Sequence, residues 1–415
     1  MRVGYVTGQY PRSTDTFIQR EVAGLRAASV HVDTFAVRAP DDAEMVGQEQ
    51  LEERGRTTYL LAGGAAPMAL AHLRLLFSSP ERWASAAALA WGSRQPGGRG
   101  AVLQLAYFAE AGLLAGLARR RKLDHLHNHF GDSSGSVTML AAGLAGIPFS
   151  MTVHGPDVFA DGSRWRLDVK CVHAAFVVCI SHFAMSQVMT VAPAHTWSRL
   201  KIVHCGVEPA LYGPPTDQPG RFRLLTVGRL APVKGIMILL EAVARVRPVL
   251  PHVVLDIVGS GPDRSRLEAR VEQLGLAEVV RFLGAQSQAA VRAELRTADV
   301  FVLASFAEGL PVVLMEALAS QVPVVATNIM GVPELVENGV TGRLVAPADV
   351  SALADALHDM AQLSAKDRRA LGDRGRRIVE RDFNSRTEAA KLADLFRGPV
   401  DSDGGAPGVP SFYAG

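Results

Sequence analysis

Two glutamates separated by seven residues, Glu308 and Glu316, bracket the run Gly309, Leu310 and Pro311. Proline suits the first turn of a helix, where its missing amide hydrogen costs nothing. A helix starting there leaves Glu308 in the preceding loop and puts Glu316 in the second turn, about 8 Å along the axis at roughly 1.5 Å per residue. Two carboxylates so spaced can bridge a sugar at one end and a ribose at the other. Each can accept from vicinal hydroxyls, while the free amides of Gly309 to Val312 hold a phosphate between them. The plainer reading makes Glu308 a helix-dipole partner and Glu316 an ordinary helix-face carboxylate. A second group tips the balance toward a ligand: Val227, Gly228, Arg229 and Leu230, then Lys234 and Gly235, sit where a strand ends and a helix begins. Glycine permits close backbone approach there, and Arg229 with Lys234 supply two cations suited to a diphosphate.

In the first half, Thr152, Val153, His154, Gly155, Pro156 and Asp157 close an apolar run. His154 therefore stands at the carboxyl end of a strand, where open α/β sheets bind ligands. His125, His127 and His129 alternate and so share one strand face. With no carboxylate or cysteine at ligand spacing they read as packing residues, and no metal site is expected. Gly131 to Gly135 spells a serine-nucleophile string, but on a strand-to-helix turn of an α/β sheet it carries little weight. Arg119 to Lys122 reads as a solvated helix end; the functional alternative is adhesion to anionic lipid.

These groups need elements to hold them. Apolar runs at 3–7, 30–37, 123–129, 149–153 and 176–179 alternate with helical periodicity, and the pattern repeats at 222–227, 253–258, 279–283, 300–303 and 322–326. Strands alternating with helices mean parallel sheets covered on both faces, hence two doubly wound α/β domains. Residues 1–205 form the first, and the proline-crowded stretch 206–220 a linker and hinge. The second spans 221–379, a helix from about 380 to 397 follows, and a Gly- and Pro-rich tail at 398–415 is expected to be disordered. Residues 41–56 read as a surface insertion, 66–90 as helical, Gly97 to Gly100 as a break, and the apolar stretch 101–118 as a helix with a basic end. The chain's 415 residues exceed a single core's usual reach. A net charge of +2 gives no field for nucleic acid, and three cysteines without paired spacing point to a reducing, cytoplasmic setting.

The second half resembles the donor domain of the family 4 glycosyltransferases, which have the GT-B fold, over 227–235, 258–262, 282–284, 298–319 and 331–342. That resemblance implies that Arg229 and Lys234 contact a donor diphosphate, Glu308 faces the sugar and Glu316 binds the ribose. Gln321 and Met330 stand where the family often has glycine. Tyr10, Pro11, Ser13 to Ile18 and Glu21, with 127–130 and 147–157, resemble the exopolysaccharide branch typified by colanic acid synthesis. It follows from the resemblance that His154 hydrogen-bonds the sugar, that Asp157 shapes its loop, and that Thr14 and Glu21 lie on the acceptor side. It further implies sugar transfer with retention from a nucleotide-diphosphate sugar to a glycan or lipid-linked glycan, without metal or other cofactor, and a last helix that returns to the first domain. The alternatives are an epimerase or phosphorylase on the same scaffold, or a silent sugar-nucleotide-binding subunit, with peripheral membrane contact left open.

Overall fold

The computed structural model describes residues 1–12, 15–41, 47–159, 162–216 and 220–398. The chain divides into two compact units, one formed by Met1–Val203 with the residues from Ala389, the other by His204–Glu388.

The first unit is built on seven strands: β1 (Arg2–Gln9), β2 (His31–Arg38), β3 (Thr58–Tyr59), β4 (His125–His129), β5 (Phe149–Val153), β6 (Phe176–Cys179) and β7 (Leu200–Ile202). All pair in parallel, in the order β3-β2-β1-β4-β5-β6-β7. The helices are α1 (Thr16–Ala27), α2 (Gln48–Arg56), α3 (Ala65–Ser78), α4 (Pro80–Gly92), α5 (Gly97–Arg121), α6 (Ser133–Ala145), the short α7 (Pro156–Phe159) and α8 (Gly162–Trp165), α9 (Leu167–His173) and α10 (His182–Met189). Local chemistry sets their ends: Asp132 accepts from the Ser134 amide to start α6, and Gly146 stops it at φ 75°.

Two expectations change here. The stretch read as a surface insertion carries α2, whose Glu53 is buried and bridges Arg26 and Arg56, while 42–46 lie outside the described residues. The glycines at 97–100 do not break a helix but open α5. A Cβ on Gly100 would sit 2.2 Å from the Gln95 carbonyl oxygen, so glycine serves close packing there. By length and composition α5 is apolar enough to cross a membrane, yet Gln104 and Glu110 are buried and the helix packs against α3, α4 and α6.

The second unit repeats the plan with β8 (Phe222–Val227), β9 (Val253–Val258), β10 (Val280–Gly284), β11 (Val300–Leu303), β12 (Val324–Thr327) and β13 (Gly342–Val345). They are parallel, in the order β10-β9-β8-β11-β12-β13. Its helices are α11 (Ile236–Val246), α12 (Arg264–Gln273), α13 (Gln288–Leu295), α14 (Val312–Ala319), α15 (Val332–Leu335), α16 (Val350–Gln362) and α17 (Ala365–Asp382). Leu239, Leu240 and Val243 of α11 and Leu353, Leu357 and Met360 of α16 pack into one core with the sheet.

The last helix, α18 (Ser385–Arg397), sends Ala389, Leu392, Ala393 and Phe396 into the first unit's core beside Tyr5, Ile18, Val22 and Phe176. The units divide after Val203, ahead of the proline-rich stretch. That stretch is laid on the second unit: the Val207 amide donates to the Phe383 carbonyl and the Thr216 amide to that of Arg296.

Candidate functional site

In each sheet the strand order reverses once, between β1 and β4 and between β8 and β11, and ligands of open α/β sheets bind outside the strand ends at such reversals. In the second unit the reversal point is built by backbone contacts. Gly228 and Leu230 donate their amides to the carbonyls of Val258 and Ser260, so the loop after β8 lies on the loop after β9. Gly235, at φ 60°, caps α11 where a Cβ would fall 2.0 Å from the Ala304 oxygen, and the Phe306 amide donates to the Val233 carbonyl. These contacts bring Lys234 to Glu308. The ammonium donates to Glu308 Oε1 at 2.7 Å, and the Ser305 hydroxyl donates to the same oxygen at 2.6 Å. Glu308 is buried, and Gly228 lies beside the Lys234 stem.

Pro311 takes the cap position and α14 starts one residue later than expected, with Gly309 and Leu310 leading into it. Glu316 falls in the second turn, buried, and accepts from the Tyr212 hydroxyl at 3.2 Å. Arg229 stands exposed after β8, and among the described residues its guanidinium has no hydrogen-bonding or ionic partner. Lys234 and Glu308 are thus brought together directly, whereas Arg229 is held by no such contact.

In the first unit His154 follows β5 and is buried between the rings of Phe17 and Phe130, at centroid distances of 4.7 and 4.9 Å. Its Nε2 lies 2.8 Å from His129 Nδ1, and His129 Nε2 lies 3.0 Å from Glu21 Oε1, which also accepts from the Tyr5 hydroxyl at 2.7 Å. Burial, then His129, holds the His154 pKa well below its usual value, so the imidazole is neutral. Asp157 lies in α7, and Thr14 falls outside the described residues.

His129 is the neighbour of His154 that spacing alone hid. It shares a face with His125 and His127, whose ring nitrogens meet the Ser150 and Thr152 hydroxyls. A carboxylate does reach this row, contributed by α1. Glu21, His127 and His129 set ligand atoms within 4.8 Å of one another; both His127 nitrogens meet hydroxyls, and His129 Nε2 faces Glu21 at ion-pair distance. Phe130 lay within the resemblance without a role of its own. It sits at φ 80°, a conformation that costs a bulky residue about 1–3 kcal/mol and that gathers at functional sites.

Residues 16–211 match the family described as Glycosyltransferase Family 4, and 215–378 match Glycosyl transferases group 1. An MMP alpha-(1->4)-mannosyltransferase of Mycolicibacterium hassiacum is 30% identical over 306 residues, 69% of this chain and 72% of the relative. The chain belongs to the family 4 glycosyltransferases. A putative colanic acid biosynthesis glycosyltransferase, WcaL of Escherichia coli (strain K12), is 35% identical over 207 residues, 48% of this chain. The match spans about half of that relative's length, 51%. Among solved structures, Anabaena Alr3699/HepE in complex with UDP and glucose superposes with a TM-score of 0.71 at 18% identity, covering 96% of this chain and 99% of that one. The two parallel-sheet units therefore form a GT-B fold.

Family membership also gives the two departures a physical reading. Gln321 has φ 58° and Met330 φ 43°, both in the left-handed region that favours glycine.

Proposed function

We propose that this chain transfers a glycosyl group from a nucleoside-diphosphate sugar to an acceptor hydroxyl, with retention of anomeric configuration, in the assembly of an exopolysaccharide or another cell-surface glycan. The observation that carries the reading is the Lys234, Glu308 and Ser305 cluster at the reversal of the second sheet, a cation suited to a leaving diphosphate beside a carboxylate suited to sugar hydroxyls. Relatives named for colanic acid and amylovoran biosynthesis support the glycan assignment, and a GT-B neighbour solved with UDP and glucose supports the donor class. The three buried, unbridged cysteines support a reducing, cytoplasmic setting.

In this reaction the bond between the anomeric carbon and the diphosphate oxygen breaks as the acceptor oxygen bonds to the same face. The departing phosphate takes the acceptor's proton. Lys234 and Arg229, with the amides of Gly309, Leu310 and Val312, stabilise charge growing on the leaving group, which makes an added metal unnecessary. Glu308 holds sugar hydroxyls, Glu316 the ribose diol, and neutral His154 hydrogen-bonds the sugar. Glu21, Asp157 and Thr14 serve the acceptor side, where a glycan or lipid-linked glycan binds.

A thermal-shift panel of UDP- and GDP-sugars in chelator should single out one donor, since a ligand of the native state raises its melting point by mass action. Turnover of that donor in chelator, with the product's anomeric proton reporting the donor's configuration, is the expected result. A strict need for divalent metal, or an inverted product, would overturn the mechanism, and donor isomerised without acceptor would make the chain an epimerase.

A further inference from the structure

Glu316 is the one ionisable side chain of α14, whose other residues are apolar, and it is buried. The helix backbone fixes where its Cα sits but not how its carboxylate is turned, because the last torsion of a glutamate is broad and roughly two-fold. A ribose presents two hydroxyls on neighbouring carbons, and accepting from both at once requires the carboxylate to be turned toward them. A group outside α14 has to set that orientation.

Tyr212 supplies it from the stretch that leads into the second unit. Its hydroxyl donates to Glu316 Oε1 at 3.2 Å. A carboxylate oxygen accepts along two lone pairs, so a bond from tyrosine and one from a ribose hydroxyl are compatible on the same atom. The tyrosine is itself held from three directions. The Arg376 guanidinium of α17 donates to the Tyr212 carbonyl at 3.0 Å and also to that of Ala319, the last residue of α14, which ties the tyrosine's backbone to the helix that carries Glu316. The Tyr212 amide donates to the Pro209 carbonyl and closes the short turn there. The Arg292 guanidinium of α13 lies over the ring, 6.0 Å from its centroid, and the ring is buried. Tyr212 falls between the two spans matched to the family, 16–211 and 215–378, so the likeness gives it no part.

We propose that Tyr212 is a positioning residue for nucleotide binding, its hydroxyl holding the Glu316 carboxylate in the orientation that accepts both hydroxyls of the donor's ribose. The proposal rests on the reading of Glu316 as the ribose carboxylate. A carboxylate oriented in advance loses little freedom when the ligand arrives, so the gain appears as affinity for nucleotides that carry the diol and for no others.

The test is calorimetry of UDP and GDP and of their 2′,3′-dideoxy forms, on the full chain and on its variants Tyr212→Phe and Glu316→Ala. The wild type should prefer the ribose form of the nucleotide it binds by ~tenfold or more, as hydrogen bonds to a charged group do, and Glu316→Ala should abolish that preference. Tyr212→Phe keeps the ring. It should cut the preference by ~3- to 10-fold, the effect of one hydrogen bond, while binding the dideoxy form as the wild type does. Added to Glu316→Ala, it should change nothing further. A full wild-type preference in Tyr212→Phe would overturn the proposal, and so would an equal loss of affinity for both forms, the mark of a merely structural role. A preference that survives Glu316→Ala would overturn the ribose reading and the proposal with it.

Discussion

An ammonium has three hydrogens to give, and Lys234 spends one on Glu308, which leaves donors for an incoming phosphate without breaking the pair. Among the described residues, both partners of Glu308 converge on Oε1, so its other oxygen can accept from a sugar hydroxyl. The roles then separate by experiment. Lys234→Ala should lower kcat by ~10²–10³, the loss typical of removing one donor that stabilises a leaving group's charge, measured with donor at saturation. Glu308→Gln should reduce transfer while leaving affinity for the free nucleoside diphosphate nearly unchanged, because Glu308 reads the sugar. Glu316→Ala should weaken the nucleotide itself by ~10-fold or more, as loss of a charged hydrogen bond costs about 1.5–3 kcal/mol, read by calorimetry with UDP and GDP. Residues at this scale were legible where a motif is local, as with Glu308 and Glu316 around Gly309 and Pro311. The link from Glu21 through His129 to His154 was not, because it joins three elements that only the folded sheet brings together.

At the scale of elements, α14 ends in a turn whose bonds specify glycine: the Val322 amide reaches the Ala317 carbonyl and the residue between the helix and Val322 is left-handed. Gln321 occupies that position, and its side chain donates to Asp373 at an exposed site, worth little. Gln321→Gly should therefore stabilise the protein by about 0.5–1 kcal/mol, seen as a rise in the urea midpoint. The buried histidines of β4 and of the β5 end make a second prediction. Burial holds His127 and His154 well below the usual 6.5 and His125 at about 3. Below pH 6.5 the unfolded chain takes up protons that the fold refuses. Stability is thus full above that pH and falls on acidification, by up to about 1.4 kcal/mol per pH unit per histidine. Glu110, raised to about 7 by burial, keeps its proton in the fold and offsets about one of the three down to its usual 4.5. The melting temperature should accordingly drop between pH 6.5 and 5. β11 could be read directly because it is an uninterrupted, fully buried apolar run, and β5, β8 and β9 because only one or two polar residues interrupt theirs between turn residues. β3 and β7 escaped because runs of 2 and 3 residues carry no periodicity, β13 because Gly342 and Arg343 leave it only two apolar residues, and the α5 glycines misled because close packing and chain breaking use the same residue.

At the scale of the whole molecule, the chain leaves the first unit after Val203, builds the second, and comes back within α18 after Glu388. The return is structural in its own right. The Phe396 ring meets Phe176 at 5.6 Å, His125 at 5.1 Å, His127 at 5.3 Å and Tyr5 at 6.5 Å, so the C-terminal helix closes the face of β4 that carries the histidine row. Opening that face would admit water to imidazoles whose neutrality depends on burial, and would loosen His129, which holds His154 and Glu21 in place. Phe396→Ala should cost about 3–5 kcal/mol, the range for emptying a packed aromatic site. Its signature is specific: the acid-side fall in stability should become shallower, because water reaching His125 and His127 brings their pKa values back toward 6.5. A chain ending at Asn384, which lacks all of α18, should lose the cooperative unfolding transition of the first unit, while the second unit's core of α11, α16 and its sheet is untouched. Calorimetry of that truncation should show the second unit's transition alone, and two retained transitions would mean that α18 is dispensable to the first unit's core.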